Sequence, residues 1–165
     1  MYLPEHQNTP WQTSKEINVK KCAILVIDLL GGSLGNIPAL DEAVKNAVKI
    51  VNRGRELNIP VIFSCDAHIK GLDKELELWG EHGIRGTEVA KPLAAFHVTE
   101  KDFIVPKRRY SGFYQTDLDL LLKELGVDTL LPLVLTPISV SYRLWLVPTI
   151  LDTRLLFLRT PVVLS

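Results

Sequence analysis

The sequence predicts an α/β protein of three layers, α-β-α, with a parallel sheet in the middle and an incomplete C-terminal end. Three observations predict it. Short, continuous apolar runs alternate with stretches whose apolar residues fall at helical spacing. Glycine, proline and asparagine punctuate the joints between them. Over the last 35 residues, from Leu131 to Ser165, that punctuation stops, because no Gly, Ala, Lys, Glu, Asn, Gln or His occurs there.

Cys22-Ala-Ile-Leu-Val-Ile-Asp28 is the first run, patterned as a strand buried on both faces. Gly31, Gly32 and Gly35 mark the loop after it. Asp41 to Leu57 reads as a helix, with Val44, Ala47, Val48 and Val51 on one stripe, and Asn58-Ile59-Pro60 breaks it. Val61 to Cys65 is a second strand, and Asp66 to Gly86 reads as a long polar loop. Glu88 to Phe96 reads as a short helix weakened by Pro92. Asp102 to Pro106 is a third strand. Thr116-Asp-Leu-Asp119 opens a helix with a threonine cap, Leu118, Leu121, Leu122 and Leu125 form its stripe, and Gly126 closes it. Val127 to Leu131 begins a fourth strand.

The chain has 165 residues and a mass of 18.5 kDa, the size of one domain able to bury its own core. Nineteen Lys and Arg balance nineteen Asp and Glu, which argues against a nucleic-acid partner. Two cysteines, Cys22 and Cys65, make no disulfide framework, and the first residues carry no secretory pattern, so a cytoplasmic setting is expected. No membrane span is expected, because Arg143, Pro148, Asp152 and Arg154 interrupt every apolar window of the tail.

In a parallel α/β sheet the sites lie beyond the carboxyl ends of the strands. Asp28, Asp66, His68 and Lys107 fall there. Each has a plainer reading as a turn residue, a cap or a solvated charge, and their convergence on one edge favours a site. Asp66-Ala-His68 with His82 offers a carboxylate and two imidazoles, a donor set for zinc, iron or manganese, or else a hydrogen-bonded loop. Lys107-Arg-Arg-Tyr-Ser-Gly reads as an anion patch or as a catalytic lysine facing a carboxylate. Arg108 and Arg109 hint at an acidic or polar substrate, although surface charge is the commoner role of such cations.

These pieces, with Trp79-Gly-Glu-His82, Gly86-Thr87, Val105-Pro-Lys107-Arg-Arg-Tyr-Ser-Gly-Phe113, Thr116-Asp-Leu118 and Leu125-Gly-Val127-Asp-Thr129, resemble the isochorismatase-like cysteine hydrolases, which include nicotinamidases. The resemblance runs from about Lys21 to Leu131. It implies that family's fold and a hydrolase domain at 21–131, between an N-terminal extension at 1–20 and an aberrant tail at 132–165. It implies hydrolysis of a small non-peptide amide by an Asp-Lys-Cys triad, with Asp28 and Lys107 as the first two members. It implies a Zn²⁺ or other divalent transition-metal site at Asp66, His68 and His82, and no organic cofactor. Trp79, Tyr110 and Phe113 are the expected substrate-binding residues. A small-molecule substrate and a homo-oligomer are implied as partners.

The sequence departs from the family in two places. Leu29-Leu-Gly-Gly-Ser33 replaces a more polar segment after the first aspartate, and the nucleophilic cysteine after the fourth strand is missing. A shifted reading frame explains the second departure. Read one base out of register from Pro132, permitted codons turn Leu135 to Val140 into D-T-D-I-C, with the cysteine codon spanning Ser139 and Val140. The break in composition and the break in resemblance then share one cause. The expectation is a chain inactive as an amidase and poorly folded, with an exposed sheet edge prone to aggregation. The alternatives are a cysteine-free vinyl-ether hydrolase of the isochorismatase branch and a non-catalytic, hydrolase-like binding protein.

Overall fold

The computed structural model describes residues 18–31, 38–134 and 154–155. Five parallel strands form one sheet: β1 (Cys22–Ile27), β2 (Val61–Asp66), β3 (Phe103–Lys107), β4 (Thr129–Leu133) and β5 (Arg154–Leu155). Their order is β3-β2-β1-β4-β5. The helices are α1 (Pro38–Glu56), α2 (Glu75–Trp79) and α3 (Leu118–Glu124).

The central place of β1 explains its composition. It pairs with β2 on one side and β4 on the other, and all six of its residues are buried. A strand covered on both faces has no solvent side to alternate with, so it reads as an unbroken apolar run. Its side chains still alternate between two cores. Cys22, Ile24 and Val26 face the cluster that holds Ala47 and Val51 of α1, whereas Ala23, Leu25 and Ile27 face Leu118 and Leu122 of α3. Helices therefore cover both faces, as expected. In the first cluster Phe63 meets Phe96 edge-on at 5.5 Å between ring centres, worth about 0.5–1.5 kcal/mol beyond the area buried.

The element boundaries differ from the expected ones in instructive ways. The 66–86 segment contains α2, too short to show a periodicity in sequence. Glu88–Ala90 and Ala94–Phe96 are separate 3₁₀ turns, not one helix, because Pro92 lies between them. Thr116 does not cap α3 from the flanking position, which Asp117 holds; its hydroxyl accepts from the Leu118 N–H at 3.2 Å and donates to the Gly112 carbonyl. β3 runs one residue further than read, through Lys107, and β4 two, through Leu133, so both prolines lie inside strands. Pro106 is tolerated because β3 is an edge, and Pro132 because β5 pairs only with Thr129 and Leu130.

The chain runs outward from β1 to β2 and β3, then returns past β1 to place β4 on its other side. The strand order thus reverses between β1 and β4, the kind of point near which sheets of this type build their sites. No helix among the described residues is long and apolar enough to cross a membrane. The expected N-terminal extension and most of the tail, including positions 139 and 140, lie outside the described residues.

Candidate active site

Asp28 is the first residue past β1, and its φ of 52° lies in the left-handed region that a non-glycine residue enters at a cost. Its N–H is held by the Ser64 carbonyl at 3.1 Å, so the sheet hydrogen-bonds the strained turn in place. Asp66 and Lys107 end β2 and β3 and are register partners. Lys107 is 2% exposed, and its Nζ lies 3.0 Å from Asp28 Oδ2 and donates to Asp66 Oδ1. One buried ammonium thus bridges two carboxylates from neighbouring strands.

The balance of charge is set by burial. Burial lifts the Asp28 carboxyl to about 6, the Lys107 charge opposes the rise and the Asp66 charge adds to it. Burial alone would lower the Lys107 amine, but Asp28 and Asp66 outweigh it and raise it above its ordinary value. A carboxyl raised to about 6 can exchange a proton near neutrality, here beside an ammonium that stays charged.

His82 is fourteen residues from His68, and the backbone closes that gap. The His68 N–H donates to the Gly83 carbonyl at 2.9 Å and the Arg85 N–H donates to the His68 carbonyl at 2.9 Å. Gly83 fits because its φ is 50° and an added Cβ would stand 2.4 Å from the Asp66 Cβ. The two rings meet edge-on at 4.7 Å. One ligand atom from each of Asp66, His68 and His82 lies within 4.8 Å of the others. His82 Nδ1 is 2.8 Å from the Gly80 carbonyl, which only accepts, so Nδ1 carries the proton and Nε2 keeps its lone pair. His82 Nε2 lies 3.9 Å from Asp66 Oδ2, the oxygen that Lys107 does not take. Both nitrogens of the fully buried His68 lack a hydrogen-bond partner among the described residues. A buried imidazole without partners, beside a carboxylate and a second imidazole, is a donor set that fits a divalent transition metal.

A cavity of about 240 Å³ opens over these groups, lined by Asp28, Asp66, Glu75, Trp79, His82, Lys107 and Tyr110. Trp79 is 70% exposed, so it forms a wall at the mouth and not part of the core. Of the expected substrate-facing residues, Trp79 and Tyr110 line the cavity. Phe113 does not: it is partly buried against the cluster that holds Leu118 and Leu122 of α3. Arg108 and Arg109 are not free for substrate either. Arg108 forks onto Asp73, with Nε 3.1 Å from both carboxylate oxygens, and Arg109 Nη1 is 3.6 Å from the same group.

Glu75 and Asp73 were missed by sequence reasoning, since a Gly-Leu-Asp-Lys-Glu stretch in a polar loop carries no signal of burial. Both thiols are unsuited to attack. Burial, with help from the Asp28 charge, pushes the Cys65 thiol up to about 12, and burial likewise raises Cys22.

A buried Asp–Lys pair at the carboxyl ends of the strands thus stands beside three groups that could hold a metal ion. The isochorismatase domain matches residues 22–132, and the chain belongs to the isochorismatase family of hydrolases. It is 31% identical over 123 residues to the uncharacterised isochorismatase family protein YecD of Escherichia coli O157:H7, covering 70% of this chain and 65% of that protein. The chain thus spans just under two thirds of that relative's length. Its structure is similar to N-carbamoylsarcosine amidase from Thermoplasma acidophilum, with a TM-score of 0.68, 25% identity, and coverage of 84% of this chain and 81% of that one. It also shares its fold with the pyrazinamidase of Pyrococcus horikoshii, solved in complex with zinc, at a TM-score of 0.60 and 21% identity over 68% of this chain and 69% of that one.

Proposed function

We propose that this chain derives from a cysteine hydrolase that cleaves a small non-peptide amide, with Asp28 as base and Lys107 as its electrostatic partner. The observation that carries the reading is the buried Asp28–Lys107–Asp66 bridge at the switch point. The register Val26↔Leu133 brings the end of β4 alongside the end of β1. A nucleophile at the carboxyl end of β4 would therefore have the end of β1, and Asp28 just past it, as its neighbour. With a cysteine there, Asp28 takes the thiol proton, and the thiolate adds to the amide carbonyl. Asp28 then returns the proton to the leaving amine, and water hydrolyses the thioester. Lys107 keeps Asp28 ionised and steadies the negative charge that develops. Asp66, His68 and His82 would hold a zinc-like ion, which when bound supplies a Lewis acid for substrate or water. The amidase and zinc-bound pyrazinamidase neighbours support both parts of this reading.

The sequence has no cysteine after Cys65, so the chain as written lacks the nucleophile and is inactive as an amidase. A DNA read across the codons for Val127 to Ser165 tests the shifted frame. One inserted or deleted base that restores Thr-Asp-Ile-Cys supports it; an intact frame overturns it. Ammonia release from small amides then tests the chemistry. The frame-restored protein should release ammonia, and Asp28→Ala should abolish that release. Undiminished release by Asp28→Ala would refute the role given to Asp28.

A second reading keeps the literal chain. Because Asp28 and Lys107 are fully assembled without a cysteine, a cysteine-free hydrolysis of an acid-labile vinyl ether remains within their chemistry. Turnover of such an ether by the literal chain, lost in Asp28→Ala, would favour it.

A further inference from the structure

Asp73 lies outside the cavity and takes no part in the proposed chemistry, yet its side chain is wholly buried. Its carboxylate is held from three directions. Oδ2 accepts from the Ile69 N–H at 2.8 Å, Arg108 forks onto both oxygens, and Oδ2 stands 3.6 Å from His68 Nδ1. The opposite edge of the His68 ring faces the metal-ligating set, with Nε2 3.7 Å from Asp66 Oδ1. We propose that Asp73 is a positioning residue that sets the tautomer of His68: its charge, 3.6 Å from Nδ1, favours the proton there without a hydrogen bond, and Nε2 keeps its lone pair toward Asp66 and His82.

The argument runs from the groups that face the ring. His68 lies between two carboxylates and edge-on to His82. A neutral imidazole has one proton to give, and the two aspartates compete for it. Asp66 is the weaker competitor, because Lys107 donates to the same oxygen that faces Nε2 and brings a positive charge to that edge of the ring. The Asp73 pull comes from a carboxylate with no exposed surface, so water screens it little. Arg108 and the Ile69 N–H hold that carboxylate ionised and fix its direction. The arrangement matches the other ligand: the Gly80 carbonyl holds His82 Nδ1 and leaves its Nε2 bare. Both histidines would then be pinned through Nδ1, one by a backbone carbonyl and one by a carboxylate, which is how outer partners orient metal ligands. The inference gives the Arg108 cation a role that the cavity does not. It deepens the metal part of the proposed function and rests on that reading for its purpose, though not for its geometry.

The test uses the full chain labelled with ¹⁵N, without metal. Long-range proton–nitrogen spectra report which ring nitrogen of His68 carries the proton, and His68→Gln assigns the signal. The expected result is a protonated Nδ1 and a bare Nε2. In Asp73→Asn that preference should be lost, and zinc affinity measured by competition with a chelating dye should fall by about 10–100-fold. Asp73→Leu, which offers no acceptor, should do the same, and the wild-type spectrum decides the matter if that variant fails to fold. A proton on Nε2 in the wild type overturns the proposal. So does an Asp73→Asn protein with the wild-type tautomer and the wild-type zinc affinity. A chain that binds no zinc but holds the proton on Nδ1 supports the tautomer assignment while refuting the metal reading, so the two fail separately.

Discussion

At the two ends of β3 a carboxylate meets a cation, and the two meetings differ. Just before the strand, Asp102 takes Arg55 through two bonds, Nε at 3.2 Å and Nη2 at 2.7 Å, and also accepts the Thr99 N–H at 2.7 Å and the Thr99 hydroxyl at 3.0 Å. Arg55 in turn donates to the Phe96 carbonyl and to Asn52. Although burial pushes the Asp102 carboxyl up, these bonds outweigh it and pull it below its ordinary value. At the other end, Lys107 serves two carboxylates at once, and burial wins at Asp28, which rises to about 6. Among the described residues, Ser64 Oγ and both nitrogens of His68 have no hydrogen-bond partner. A clamp that ties helix to strand has its polar groups matched, whereas the edge that carries Asp28 keeps unmatched ones and a carboxyl whose charge changes with a small change of pH.

Removing one charge from each end breaks the comparison most sharply. Lys107→Met should leave Asp28 and Asp66 buried without a cation and cost about 3–5 kcal/mol in urea unfolding. Adding Asp28→Asn should return part of that loss. Asp102→Ala should cost less, about 1.5–3 kcal/mol, because Arg55 can turn to solvent. An equal loss at both ends would erase the distinction. Gly83→Ala sharpens it further without touching a charge. Its Cβ would meet the Asp66 Cβ at 2.4 Å, so Asp66 must shift away from Lys107 and the histidines. It should cost about 1–3 kcal/mol through this overpacking and weaken zinc binding. Unchanged zinc affinity would count against the crowding seen here.

The pH dependence separates the ends by sign. Between its ordinary value near 4 and its folded value near 6, Asp28 holds a proton in the folded chain that the unfolded chain has released. Its contribution to stability is therefore lost as pH rises through that window. The depressed carboxyl of Asp102 does the opposite: its contribution is present above about pH 4 and is lost as pH falls through its lower folded value. Urea melts of Asp28→Asn and Asp102→Asn from about pH 2 to 7, each set against wild type, should show these opposite slopes, that of Asp28 above about pH 4 and that of Asp102 below it.

Much of this was legible in the sequence, for reasons that also explain the gaps. Asp28, Asp66 and Lys107 were readable because each ends an apolar run, and parallel strands bring their carboxyl ends together whatever the loops do. His68 followed from strand alternation. His82 was readable as part of a donor set with Asp66 and His68, but not its nearness to them, since the backbone pairing of His68 with the 83–85 segment leaves no periodicity. Phe113 stands against a core cluster and outside the cavity lining, which was not legible because an aromatic residue after Ser-Gly looks the same in sequence whether it faces a cavity or a core. Asp73 was invisible, because its burial depends on Arg108, thirty-five residues away. Element boundaries slipped by a residue or two where proline lies inside a strand, at Pro106 and Pro132, since edge position and absent pairing are tertiary facts.

The most direct test of the central claim, that the Asp28–Lys107 pair is a proton-transfer site and not a structural ion pair, is the titration of the Asp28 carboxyl followed by ¹³C NMR in the folded chain. The account predicts a midpoint near 6 that moves higher in Lys107→Met, because the ammonium opposes the rise. A midpoint at or below 4, like that of a completed salt bridge, would contradict it.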